Sequence, residues 1–146
     1  MKKLSLAFSL ALGLSPLATA QAEETVTVYK SPTCGCCSDW VRHMEDNGFE
    51  VNAINTQQIN QIKADAGVPQ GLASCHTAFV GDYIIEGHVP ASDIRRLLAE
   101  APAARGLSVP GMPAGSPGME MGDRQDPYTV MLFNEAGQTQ PFAQHP

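Results

Sequence analysis

Thr25-Val-Thr-Val-Tyr-Lys-Ser-Pro-Thr-Cys34-Gly-Cys-Cys37-Ser-Asp-Trp-Val-Arg-His-Met44 is the stretch that decides the fold. Its first five residues are β-branched or aromatic and read as a strand, which Ser31-Pro32 breaks. Cys37, Val41 and Met44, with Trp40 beside them, then recur at three- and four-residue steps, the period of a helix from about Cys36 to Asn47 that ends at Gly48. A strand, a tight turn holding three cysteines and a helix are therefore expected in direct succession.

Working outward, Phe49 to Ile54 reads as a second strand, and Asn55 to Ala66 as a helix with Ile59 and Ile62 on one face, closed by Gly67-Val-Pro69. Thr77–Val80, a Gly81-Asp82 turn and Tyr83–Ile85 form a hairpin pattern. Ser92 stands where a cap would open a helix through Ile94, Leu97 and Leu98. The order β-α-β-α-β-β-α, with cysteines on the first strand-to-helix turn, predicts an α/β, thioredoxin-like fold. Beyond Pro102 the periodicity stops. Residues 106–122 hold five Gly, three Pro and three Met and read as a long Gly/Pro/Met-rich loop, after which Tyr128–Phe133 and Thr139–Phe142 make a C-terminal hairpin. There is no internal repeat.

The N-terminus has the order of a secretory signal: Met1-Lys-Lys3, an apolar run from Leu4 to Leu17, then Ala18-Thr-Ala-Gln-Ala22. Residues 1–22 are expected to be removed, and the run is too short to span a bilayer convincingly. What remains, residues 23–146, has the size of one domain. The whole chain carries a net charge of −6, and losing Lys2 and Lys3 makes the remainder −8. Such a surface repels nucleic acid and anionic lipid. The implied location is the periplasm, with no membrane span after cleavage.

Four cysteines in an exported chain would ordinarily suggest two structural disulfides. The spacing argues against that, because Cys34, Cys36 and Cys37 crowd into four residues whereas a stapling framework spreads its cysteines. At a helix start the free N–H groups favour thiolate, and Gly35 clears bulk where sulfurs must converge. Cys75 precedes a strand expected beside the first one, so it should approach the motif. Three local thiolates and one distant one form a soft site, suited to copper(I) or zinc and not to magnesium or calcium.

A single structural zinc prefers two separated pairs of ligands. Crowded thiolates favour bridging, which points to several ions of a metal that accepts low coordination. Met112, Met119 and Met121 lie in the polar loop away from any core periodicity, and thioether is a copper(I) ligand. Met44 and Met131 fit helix and strand faces and read as core. Of the histidines, His76 abuts Cys75 and His88 ends the hairpin, so both are candidate ligands; His43 lies farther along the first helix and His145 in a frayed tail. The expected metal set is Cys34, Cys36, Cys37, Cys75, His76, His88, Met112 and Met119. Three functions compete: copper binding, thiol–disulfide exchange through Cys34 and Cys37, and a zinc-stabilised module. A third thiol inside the motif disfavours clean exchange, and the methionines disfavour zinc.

Ser31-Pro-Thr-Cys-Gly-Cys-Cys37 with Trp40 and His43, Ser74-Cys-His-Thr-Ala78, Glu86-Gly-His-Val-Pro90, Gly106-Leu-Ser-Val-Pro-Gly-Met-Pro113 and Gly115-Ser-Pro-Gly-Met119 together resemble the CopG-type periplasmic copper-resistance proteins. That resemblance implies a thioredoxin-like fold carrying a cysteine-bridged multinuclear copper cluster, with interconversion of Cu(I) and Cu(II). Copper ions are the implied ligand. Periplasmic copper chaperones or efflux components are the implied class of partner.

Overall fold

The structure is a computed structural model that describes residues 24–146; the leader expected over residues 1–22 lies outside them. Its elements run β1 (Val26–Lys30), α1 (Gly35–Asp46), β2 (Val51–Asn55), α2 (Ile59–Ala66), a short 3-10 turn (Gln70–Leu72), β3 (Thr77–Val80), β4 (Tyr83–Glu86), α3 (Ala91–Glu100), β5 (Gly106–Ser108), β6 (Tyr128–Phe133) and β7 (Thr139–His145). The strands form one seven-stranded sheet in the order β2-β1-β3-β4-β5-β6-β7. β1 pairs parallel with β2 and antiparallel with β3, so Thr77 lies opposite Tyr29. That pairing carries the segment before β3 to the end of β1 where the cysteine motif begins.

The alternating pattern along each strand divides the interior into two layers. Trp40 and Met44 of α1, and Ile94 and Leu97 of α3, pack with Val26, Val28, Ala78, Ile85 and Leu107 in the larger cluster. Ala66 of α2 packs with Leu72, Ile84 and Phe133 in the smaller one. Adjacent residues such as Ile84 and Ile85 thus serve opposite faces. Of the two methionines expected as core, Met44 is fully buried and Met131 is half-buried, packed against the smaller cluster.

Three local expectations are corrected. Gly106–Ser108 is not loop: it is β5, a buried strand between β4 and β6. It pairs Gly106 with Ile84 so closely that a Cβ on Gly106 would sit 1.9 Å from the Ile84 carbonyl oxygen, which explains a glycine inside a strand. Ser92 does not cap α3; the helix starts at Ala91 after Pro90, and the Ala91 N–H is taken by His43 Nε2 at 3.1 Å instead. In α2, Ile59 and Ile62 are half-buried beside the buried Lys63 and Ala66. His145 is not frayed: it ends β7, stacks on Tyr128 and bonds Asp93 Oδ2 through Nε2 at 2.7 Å.

The burial of Lys63 has a partner. Its ammonium donates to Glu86 Oε1 at 2.6 Å and to Thr77 Oγ1 at 2.9 Å. The Thr77 hydroxyl in turn donates to Glu86 Oε2 at 2.7 Å, and the Ser74 N–H to Glu86 Oε1 at 2.7 Å. The Glu86 side chain is wholly buried and that of Lys63 is 10% exposed. Removing one partner from such a pair strands a charge in the interior, a loss of about 3–5 kcal/mol. Lys63→Met is therefore expected to lower unfolding stability by about that amount in urea melts. Adding Glu86→Gln, which discards the charge and keeps an acceptor for Ser74, should recover most of it; a single variant as stable as the parent would show the pair to be solvated.

Candidate metal centre

The β1–α1 turn presents its sulfurs because α1 begins there. Cys34 is the N-cap residue in extended conformation, and its Sγ accepts from the Cys37 N–H at 3.3 Å. One helical turn brings the Cα atoms of Cys34 and Cys37 to 5.3 Å, and the two residues are joined as a disulfide. The expectation that this crowding excludes disulfides is corrected to that extent: a three-residue step across a helix start falls inside the required Cα separation. Cys36 and Cys75 are free thiols. Cys36 Sγ lies 3.4 Å from Cys34 Sγ.

Cys75 arrives from the far side, just before β3. All four cysteine sulfurs lie within 4.8 Å of one another, a separation at which they can hold metal. Cys75 also belongs to a second group, with His76 and His88, whose donor atoms lie within the same 4.8 Å. Its sulfur is 3.3 Å from His76 Nδ1 and 3.0 Å from His88 Nε2. His88 is held by its other nitrogen, since Nδ1 donates to the Pro117 carbonyl at 2.8 Å. Both rings are fully buried. They meet edge to face at 5.0 Å, and the His76 ring lies 4.5 Å from the Trp40 ring.

The electrostatics keep these groups neutral at rest. Burial pushes the Cys75 thiol up to about 12, and the neighbouring Cys36 adds to the rise. Burial holds His76 well below its usual range, reinforced by the nearby His88 and Lys63. His88 is lowered by burial too, against the opposing pull of the Pro117 carbonyl and Glu120. Neutral imidazoles are competent ligands, whereas the thiol must release its proton to solvent when a cation binds.

The methionine loop folds back over this end of the sheet. The Gly111 N–H donates to the Ala73 carbonyl at 3.3 Å, and Ser74 Oγ to the Gly111 carbonyl at 2.5 Å. That sets Met112 one residue from a bond to the neighbour of Cys75. Farther on, Gly118 at φ +83° presses on α1, where a Cβ would lie 2.7 Å from the Cys36 carbonyl and from the Trp40 nitrogen. Met119 follows it, half-buried, while Met112 is 54% and Met121 56% exposed.

Two clamps were not legible as functional residues in the sequence. Trp40 Nε1 donates to the Val89 carbonyl at 2.9 Å, and His43 accepts from Ala91, so α1 grips the His88 segment on its C-terminal side. His43 therefore has a structural partner away from the sulfurs. The Lys63–Glu86 pair is the other: Glu86 holds Ser74, and the Gly87 N–H bonds the His76 carbonyl at 3.0 Å. The available signal was a lysine four residues after Ile59, on what would otherwise be the apolar stripe of α2.

His43 gives a pH test. Burial lowers its pKa from 6.5, outweighing the attraction of Glu120 and Asp46. A base whose folded pKa lies below its unfolded value adds stability above the unfolded value and loses it as pH falls through the folded one. Melting temperature should therefore drop on acidification from pH 7.5 to 5, and His43→Gln, whose amide oxygen can still accept from Ala91, should shallow the slope. His76 and His88 would retain the rest; an unchanged slope would mean His43 is freely protonated in the folded protein.

Residues 72–119 match a family described as a protein of unknown function, DUF411, a span that contains Cys75, His76, His88, Met112 and Met119. No curated protein matches the chain. Among solved structures, one named copper resistance protein CopG, form 2, is 43% identical with a TM-score of 0.82, the match covering 86% of this chain and 100% of that one. Another, named form 1 of the same protein, is 44% identical with a TM-score of 0.81, covering 86% and 99%. With the cysteine turn, the Cys75 segment and the sheet that joins them all inside a likeness of this depth, the chain belongs to the copper resistance protein CopG family.

Proposed function

We propose that this protein is a periplasmic copper-binding protein that serves copper tolerance by holding several copper ions on Cys34, Cys36, Cys37 and Cys75. Copper is its cargo. The observation that carries this is the convergence of four sulfurs within 4.8 Å from two segments far apart in sequence. Thiolates so close can bridge, and each bridging sulfur serves two soft ions at once. His76, His88, Met112 and Met119 complete the donor set in this reading, and the four-strand portion β2-β1-β3-β4 is taken as the thioredoxin-like core. Conversion between Cu(I) and Cu(II), and transfer to or from copper chaperones or efflux components, are further parts of the proposal. The solved relatives' name, copper resistance protein, supports the choice of metal. The signal-like N-terminus supports the compartment.

A second reading has its own observation. The Cys34–Cys37 disulfide is what a thiol–disulfide oxidoreductase would carry in its oxidised state. Cys36 separates the two. In an oxidoreductase Cys34 attacks and Cys37 resolves, so Cys36 is a bystander; in a copper cluster every sulfur is a ligand.

Two outcomes follow. Anaerobic titration of the fully reduced protein should show more than one Cu(I) per chain, retained against zinc; saturation at one zinc with copper bound no better would refute the copper reading. Cys36→Ser should lower the number of copper ions bound and cost cells copper tolerance as severely as Cys34→Ser or Cys75→Ser, because a serine hydroxyl is too hard and too weakly acidic to substitute. Normal stoichiometry and tolerance in that variant would promote the oxidoreductase.

A further inference from the structure

The Cys34–Cys37 bond withdraws two of the four sulfurs from metal binding and leaves Cys36 and Cys75 as thiols. A four-thiolate site exists only once that bond is reduced. The group formed by Cys75, His76 and His88 has no such dependence, since none of its members is in the disulfide and its three donors already lie within 4.8 Å of one another. The structure therefore contains two overlapping donor sets that share Cys75 and differ in their need for reduction.

Hydrogen bonding fixes how the nitrogen-bearing set is aimed. A carbonyl oxygen only accepts, so the 2.8 Å contact to Pro117 puts the His88 proton on Nδ1 and leaves the Nε2 lone pair facing Cys75. His76 turns Nδ1 to the same sulfur, and its other nitrogen is buried with no hydrogen-bond partner among the described residues. Nδ1 of His76 and Nε2 of His88 thus both face the Cys75 sulfur. A cation among the three donors would bind His76 through Nδ1, with the ring proton on Nε2. One thiolate and two imidazoles suit a three-coordinate copper(I), and the free thiol of Cys36 lies within 4.8 Å of the Cys75 sulfur beside them.

Building on the copper-binding reading above, we propose that Cys75, His76 and His88 form a separate one-copper site that is loaded while Cys34 and Cys37 are disulfide-bonded, so that the redox state of the motif sets how much copper the protein holds. The oxidised protein carries one Cu(I) in the mixed sulfur–nitrogen corner. Opening the disulfide takes two electrons and two protons: a dithiol reductant supplies them, leaves as its own disulfide, and Cys34 and Cys37 become thiols. The enlarged sulfur set then accepts further ions.

The test uses the intact protein in two states, verified by alkylation that labels Cys36 and Cys75 in the oxidised form and all four cysteines in the reduced form. Each is titrated anaerobically with Cu(I). The oxidised protein should bind one ion per chain, and X-ray absorption of that complex should show a mixed nitrogen and sulfur shell. His88→Gln and Cys75→Ser should each abolish binding by the oxidised form, with far-UV circular dichroism confirming the fold. After copper is stripped, alkylation should still label two cysteines. The proposal is overturned if the oxidised protein binds no Cu(I), binds it in an all-sulfur shell, binds it equally well in both variants, or shows four labels after stripping. Loss of binding in the oxidised state alone, with several ions still bound when reduced, would remove this inference and leave the proposed function standing; failure of the reduced protein to bind copper would remove both.

Discussion

A carboxylate buried under the sulfur end of the sheet, Glu86, holds the segment that completes the metal centre. Its two oxygens take bonds from Lys63, Thr77 and the Ser74 backbone, so α2, β3, β4 and the chain entering Cys75 are fixed to one point. A buried negative charge is tolerable only with a counter-charge and filled lone pairs, and here it has both. The consequence reaches the chemistry, because Ser74 and Thr77 bracket Cys75 and His76. The Cys75–His76 pair is thus set by a rigid interior contact although it lies just outside a strand.

The other half of the centre is set by α1. The helix delivers Cys36 and Cys37 at its start, and farther along it holds the Val89–Ala91 backbone through Trp40 and His43. His88 is thereby tied to the same helix that carries the sulfurs, while Pro117 fixes its ring from the methionine loop. Gly118, pressed against Cys36 and Trp40, must be glycine because the loop backbone approaches α1 there more closely than a side chain permits. The donors come from sequence-distant segments that the sheet and these clamps bring to one end.

The candidate site carries little charge of its own. The thiol of Cys75 is held protonated by burial and its histidine neighbours are held neutral, so no strong uncompensated charge accumulates in the interior without a cation. The disulfide at Cys34 and Cys37 leaves Cys36 and Cys75 as the free thiols of the cluster.

The sequence by itself determined the elements with strong period: β1, α1, the β3–β4 hairpin and the β6–β7 hairpin all follow from local alternation or three- and four-residue spacing, and the crowding of Cys34, Cys36 and Cys37 already marked a sulfur site. It also named Cys75 and its histidine neighbours, because a cysteine and a histidine beside a predicted strand are chemically conspicuous. It did not reveal β5, since three residues opening on glycine carry no period, and their strand character comes from the close approach of β4. Nor did it reveal the pairing of Lys63 with Glu86, the capping of α3 by His43, the ordering of His145 on Asp93, or the Cys34–Cys37 bond. Each of these is a contact between one residue and another whose distance depends on how the helices seat on the sheet. Local propensity acts over a few residues and is written in order along the chain, whereas burial, counter-charge and ring contact depend on neighbours in space, and only the folded sheet decided those.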